Sequence, residues 1–171
     1  MKNMSVRARA RAAATAIAAS IGLLVTAAPA HAVEYEVTSN CDVQWITCSQ
    51  GDLWLLYNSK ELAVSGDKYI TSWATFYGNV SDYWGTSQYQ GSALTTYRYV
   101  FNGNGTGAWK YVKNAAASVQ NCSSIDNYRV YYASGYGGTS QYFAHRASFG
   151  DCQLINLISA LKNENASQHF A

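Results

Sequence analysis

The chain has 171 residues, with 12 Lys or Arg against 10 Asp or Glu, a formal net charge of +2. That excess belongs to the first residues: Lys2, Arg7, Arg9 and Arg11 precede residue 33 and all ten acids follow it, so the remainder carries −2. A nucleic-acid partner loses its simplest support, because no Lys or Arg cluster remains to neutralise phosphates.

Residues 1–32 have the pattern of an export signal. The early bases precede an uncharged, Ala-rich run from Ala12 to Ala28, and Ala30-His31-Ala32 supplies the small-x-small cleavage pattern. The run is short and alanine-heavy for a membrane anchor, and no later stretch approaches about 18 uninterrupted apolar residues. The expectation is a secreted, extracellular protein with no membrane association. Residues 33–171 are then one domain's worth of chain, expected as a monomer.

Composition after residue 32 points to strands. All 14 Tyr and all 5 Trp lie there, the one proline is Pro29, and Gly, Asn and Ser recur between aromatic runs as turn-formers do. Leu53-Trp54-Leu55-Leu56-Tyr57 is a continuous apolar strand ending in Asn58-Ser59, and Tyr128-Arg129-Val130-Tyr131-Tyr132 ends in Ala133-Ser134. Alternation predicts Leu55, Tyr57, Val130 and Tyr132 on the inward face. Between these strands, Tyr97, Tyr99 and Phe101 alternate with Arg98 and Val100 as a half-buried strand does. Leu154 to Leu161 is long enough for a short helix or a buried strand, and periodicity does not separate the two.

Four cysteines, an even number in an exported chain, predict two disulfides. Of the three possible pairings, Cys41–Cys48 with Cys122–Cys152 is the expected one, since each bond then staples one half of the chain. A zinc site is disfavoured by the cysteine spacing and by a supply of only His145 and His169 as later imidazoles. Internal echoes support two halves, about 41–121 and 122–171. Gly78-Asn79-Val80 is echoed by Ile155-Asn156-Leu157, and Lys113-Asn114-Ala115-Ala116-Ala117-Ser118 by Lys162-Asn163-Glu164-Asn165-Ala166-Ser167.

Tyr131, Tyr136 and Gly138 form an aromatic-x4-aromatic-x-glycine pattern at a strand–turn junction. It is similar to the folded hairpin of βγ-crystallin Greek keys, in which glycine takes a positive φ and an aromatic ring covers the turn. With the segments Gly78–Tyr83, Val112–Val119 and Asn163–Ser167 in that order, the chain resembles the secreted actinobacterial peptidase-inhibitor family of the Streptomyces metalloproteinase inhibitor type. The resemblance covers most of residues 51 to 170. It implies an all-β, βγ-crystallin-like Greek-key β-sandwich of two related, disulfide-stapled halves. It also implies an extracellular protease as partner, inhibited at a thermolysin-like active site. Such an enzyme wants an apolar side chain just after the bait bond, whereas Asp42, Ser49, Ser123 and Gln153 follow the four cysteines, so the inhibitory loop is unassigned. The family resemblance also raises calcium, with oxygen ligands from Asn114 and Ser118 in one half and Asn163, Glu164 and Ser167 in the other. Ala115, Val119 and Gln168 stand where further ligands are expected, which favours turn and capping roles for these residues and no cofactor.

Catalysis does not emerge, and no enzymatic activity is expected. His145 and His169 accompany neither a Gly-x-Ser-x-Gly elbow nor a His-Glu-x-x-His helix. His169 is expected as a surface residue of the tail. The alternative to inhibition is a carbohydrate- or cell-wall-binding, or toxin-like, module of the same fold. Tyr83, Trp84, Tyr89 and Trp109 would then be the exposed rings suited to stack on sugars.

Overall fold

The structure is a computed structural model and describes residues 32–66, 68–146 and 152–171. The export signal expected over residues 1–32 lies outside the described residues but for Ala32. The chain is all-β. Its strands are β1 (Val33–Val37), β2 (Leu53–Leu56), β3 (Val64–Ser65), β4 (Lys68–Tyr69), β5 (Trp73–Phe76), β6 (Gly85–Gln90), β7 (Ala93–Tyr99), β8 (Ser118–Asn121), β9 (Tyr128–Ala133), β10 (Gly137–Phe143), β11 (Leu154–Asn156) and β12 (Ser167–Phe170). One turn of helix, α1 (Lys60–Ala63), follows β2. Both disulfides have the expected pairing, Cys41–Cys48 and Cys122–Cys152, with Cα–Cα separations of 5.1 and 4.8 Å. No helix among the described residues is long and apolar enough to cross a membrane.

The strands form sheets in the orders β11-β8-β2-β5, β10-β9-β12 and β1-β7-β6, with β3 and β4 as a separate pair. Two of these sheets are built on one register. In the first, Leu53 faces Asn121 and Phe76, while Leu56 faces Ser118 and Trp73. In the second, Tyr128 faces Phe170 and Phe143, while Tyr131 faces Ser167 and Ser140. The segments at their edges cross over. Ile155 of β11 lies opposite Val119 of β8, and Val80, from the earlier part of the chain, bridges Gln168 of β12. Neither sheet is therefore complete without a segment from the other's stretch of sequence.

Hydrogen bonds repeat the same relation. Ser118 Oγ donates to the Asn58 carbonyl at 2.6 Å and Ser167 Oγ to the Ala133 carbonyl at 2.7 Å. The Asn114 N–H donates to the Asn165 carbonyl at 2.7 Å, and the Asn163 N–H to the Ala116 carbonyl at 2.9 Å. Asn114 and Asn163 both take left-handed backbone, φ 58° and 60°, which asparagine tolerates better than most residues. The expected echo between residues 78–80 and 155–157 is displaced, because the register sets Val80 against Ile155. The buried pair Tyr83 and Leu157 then occupy like places, their N–H groups donating to the Ala166 and Ala117 carbonyls, so the earlier segment carries one extra residue between.

One apolar cluster unites the three larger sheets. It holds Leu53, Leu55 and Val119 from the first sheet, Tyr128, Val130 and Phe143 from the second, and Val37, Tyr97 and Tyr99 from the third. The continuous apolarity of β2 has a cause: its outer face is covered too, Trp54 stacking on Trp73 at 5.7 Å and Trp73 meeting Tyr69 at 5.6 Å. Leu55 and Val130 point inward as expected. Tyr57 is half-buried, packing against the core beside Phe101 and over the positive-φ Gly107, and Tyr132 is exposed instead, its ring lying over the positive-φ Gly138. Leu154–Asn156 resolves as strand, followed by turns.

The paired serine bonds are testable. Ser118→Ala and Ser167→Ala each leave a carbonyl without its hydroxyl donor and are expected to lose about 1–3 kcal/mol in urea unfolding. Sitting in separate sheets, the two losses should add in the double variant. A loss below about 0.5 kcal/mol for either would show that its bond does not stabilise the end of its strand pair.

Candidate functional site

The Cys41–Cys48 loop turns inward rather than protruding. Val43 is buried, Ile46 packs against the core, and Trp45 meets Tyr97 of β7 edge-on at 5.2 Å. Ser123, after Cys122, is also locked in place, its N–H donating to Asn121 Oδ1 and its Oγ accepting from the Asp126 N–H.

The exposed, extended segment is β6. It pairs with β7 along its whole length and forms one edge of its sheet, and Ser87 to Gln90 are exposed. Its base is held firmly. A Cβ on Gly85 would fall 2.1 Å from the Tyr97 carbonyl oxygen, and Ser87 Oγ lies 2.8 Å from Thr96 Oγ1. Near the tip, Gln90 Nε2 donates to Gln44 Oε1 at 2.9 Å, so the Cys41–Cys48 loop buttresses the hairpin through Gln44 and Trp45. Tyr89 stands on this strand with 69% of its surface exposed.

The four aromatics expected at the surface do not share one fate. Tyr89, Trp84 and Trp109 are exposed. Tyr83 is instead fully buried, its hydroxyl donating to Gln168 Oε1 at 2.9 Å, in the place that the buried Leu157 fills beside the other sheet. Burial first, and then the neighbouring Tyr128, hold its phenol well above the ordinary range. Trp84 pairs with Tyr111 at 4.9 Å, with Arg98 lying 4.8 Å over the indole and paired to Glu34 at 3.3 Å. The sequence did not single out Tyr111 or Arg98.

His169 is not a loose tail residue. It lies on β12, its ring 5.0 Å from that of Tyr131 and 5.3 Å from that of Tyr136, with Nε2 at 2.5 Å from the Tyr131 hydroxyl. Arg129, paired in register with both His169 and Tyr142, lies 5.7 Å over the Tyr142 ring. His145 is exposed and bonds Asn127 Oδ1 through Nδ1 at 2.8 Å. Among the described residues no group of three or more His, Cys, Asp or Glu is placed to hold a metal ion.

The oxygen ligands considered for calcium are spread between the two halves. Ser118 and Ser167 are buried and spend their hydroxyls on backbone carbonyls, while Asn163 and Glu164 are exposed. Asn114 and Asn163 border a cleft of about 510 Å³ that also takes Asn58, Ser59, Lys110 and Lys162 into its wall. Two ammonium groups beside the candidate oxygens oppose a divalent cation. About 1 mM calcium is expected to leave the melting temperature within about 1 °C, whereas a micromolar site would add about 4 kcal/mol. A larger rise on calcium addition would restore these residues as a metal site.

Comparison of the chain with family models, with curated proteins and with solved structures gives no match.

Proposed function

We propose that this chain is a secreted, non-catalytic protease inhibitor on a βγ-crystallin-like Greek-key scaffold, with a thermolysin-like metalloprotease as its target. The scaffold reading is supported by the crossed-over edge segments and by the common register of the β2 and β9 sheets. Those features match the two related halves, about 41–121 and 122–171, that the sequence echoes suggest. Export is supported by the early residues and by two disulfides.

The observation that carries the inhibitor reading is β6. A protease cleft takes its substrate as an extended strand, and an inhibitor gains affinity when that strand is ordered before binding. β6 is extended, open along one edge and exposed from Ser87 to Gln90, yet pinned by β7 and buttressed by a disulfide loop. Tyr89 follows Gln88, which gives an apolar ring just after a candidate bait bond, the feature missing beside all four cysteines. The disulfide thus supports the bait strand from behind rather than carrying the bait itself.

A second reading has its own support. The exposed Trp84–Tyr111 pair is a surface on which a sugar could stack, and it suits a carbohydrate- or cell-wall-binding module. The two readings separate in one assay. Titration of a thermolysin-like metalloprotease with residues 33–171 is expected to give stoichiometric inhibition. Tyr89→Ala should weaken it at least about tenfold without lowering the melting temperature, as expected for an exposed interface anchor. Absence of inhibition against metallo and serine proteases at micromolar protein, with retention on chitin or peptidoglycan, would overturn the inhibitor reading in favour of the second.

A further inference from the structure

We propose that the cleft between Lys110 and Lys162 binds a sugar bearing a carboxylate or phosphate group. The argument starts from a difference between like places in the fold. Lys113 and Lys162 each precede a left-handed asparagine, Asn114 and Asn163. Lys113 is neutralised: its Nζ lies 3.0 Å from both carboxylate oxygens of Asp82 and 2.9 Å from Ser134 Oγ. Ser134 comes three residues after Tyr131 of β9, as Ser59 comes three residues after Leu56 of β2, and Ser59 borders the cleft together with Lys162. The serine is therefore kept in both places. The acid is not. Asp82 precedes the buried Tyr83, whereas Asn156 precedes the buried Leu157.

Asn156 is uncharged and already engaged. Its Nδ2 donates to the two oxygens of Glu61 at 2.9 and 3.0 Å, and its Oδ1 accepts from the Lys60 N–H at 2.7 Å. Glu61 is an acid that feels the charge of Lys162. Its carboxyl lies below the usual range, chiefly through the Asn156 bond and to a lesser degree through Lys162 and Lys60, but it is fully exposed and makes no ion pair with Lys162 within 4 Å. Lys110, the second cation, is positioned by an uncharged group: its Nζ lies 2.8 Å from Tyr57 Oη and 4.8 Å over the same ring. Among the described residues neither lysine has a salt-bridge partner.

The cleft therefore joins two unneutralised ammonium groups to the amides of Asn114 and Asn163, to the Ser59 hydroxyl and to Asn58, whose Nδ2 already donates to the Leu62 carbonyl at 3.1 Å. Its volume of about 510 Å³ falls in the range of small-molecule sites. Ammonium groups select an anion, and amides offer both donors and acceptors to ring hydroxyls. None of these residues belongs to β6, so the assignment stands whether or not the inhibitor reading does.

Calorimetric titration of the purified protein at low salt with glucuronate, glucose 6-phosphate and glucose tests it. One or both acidic sugars should bind at least about tenfold more tightly than glucose, and the stronger of the two identifies the charged group. The Lys110→Gln, Lys162→Gln double variant, changed at two exposed positions, should lose that preference while Tyr89→Ala keeps it. Should the double variant fold poorly, Lys162→Gln alone is expected to weaken the preferred acidic sugar at least about threefold. Acidic sugars that bind no better than glucose, or a preference that survives removal of the lysines, would overturn the proposal.

Discussion

Two backbone hydrogen bonds tie the β2 and β9 sheets to one another, from Asn114 N–H to the Asn165 carbonyl and from Asn163 N–H to the Ala116 carbonyl. Each is donated by an asparagine with positive φ, and each ties a turn ahead of one sheet to the turn ahead of the other. The edge segments cross over on either side of these bonds, so the β2 sheet borrows Leu154–Asn156 and the β9 sheet borrows Val80. Such pairings are distant in sequence and return stability only when both sheets are present. The single apolar cluster that spans the sheets follows from that dependence.

On this frame the third sheet is an addition with a different character. Its inner residues, Tyr97 and Tyr99, enter the common core, and β1 pairs in parallel with β7. Its outer strand, β6, buries almost nothing beyond Gly85 and Thr86. A strand that does not add to the core, yet is fixed by six register pairs and by Gln90–Gln44, is ordered at an energetic cost that the core does not repay. That imbalance supports the proposal that β6 is a presenting surface.

Much of the scaffold was legible in the sequence. Leu53–Leu56 and Tyr128–Tyr132 lie in strands, the cysteines pair locally, and the repeated Lys-Asn segments are turns in both places. The echo at residues 78–80 misled because it matched Asn79 to Asn156 by residue type, whereas the register sets Val80 level with Ile155, two residues away from the expected match; Tyr83 misled because its polar hydroxyl finds a buried partner in Gln168. Tyr132 misled because alternation ignores the glycine beneath it, whose missing side chain lets the ring lie outside the sheet. The cleft was invisible: Asn58, Lys110 and Lys162 are brought together only by the crossing of distant strands. The Cys41–Cys48 loop, left without a role by the residues after its cysteines, is drawn inward by the apolar Val43, Trp45 and Ile46.

The central claim is that β6 is the strand this protein presents to a protease. Amide chemical-shift mapping of the labelled protein, titrated with a thermolysin-like metalloprotease whose catalytic residues have been replaced, addresses it at residue level. Perturbations concentrated from Gly85 to Leu94, with the amides around Lys110 and Lys162 unmoved, are the predicted result. A spectrum unchanged by saturating protease, or shifts confined to another face, would contradict it.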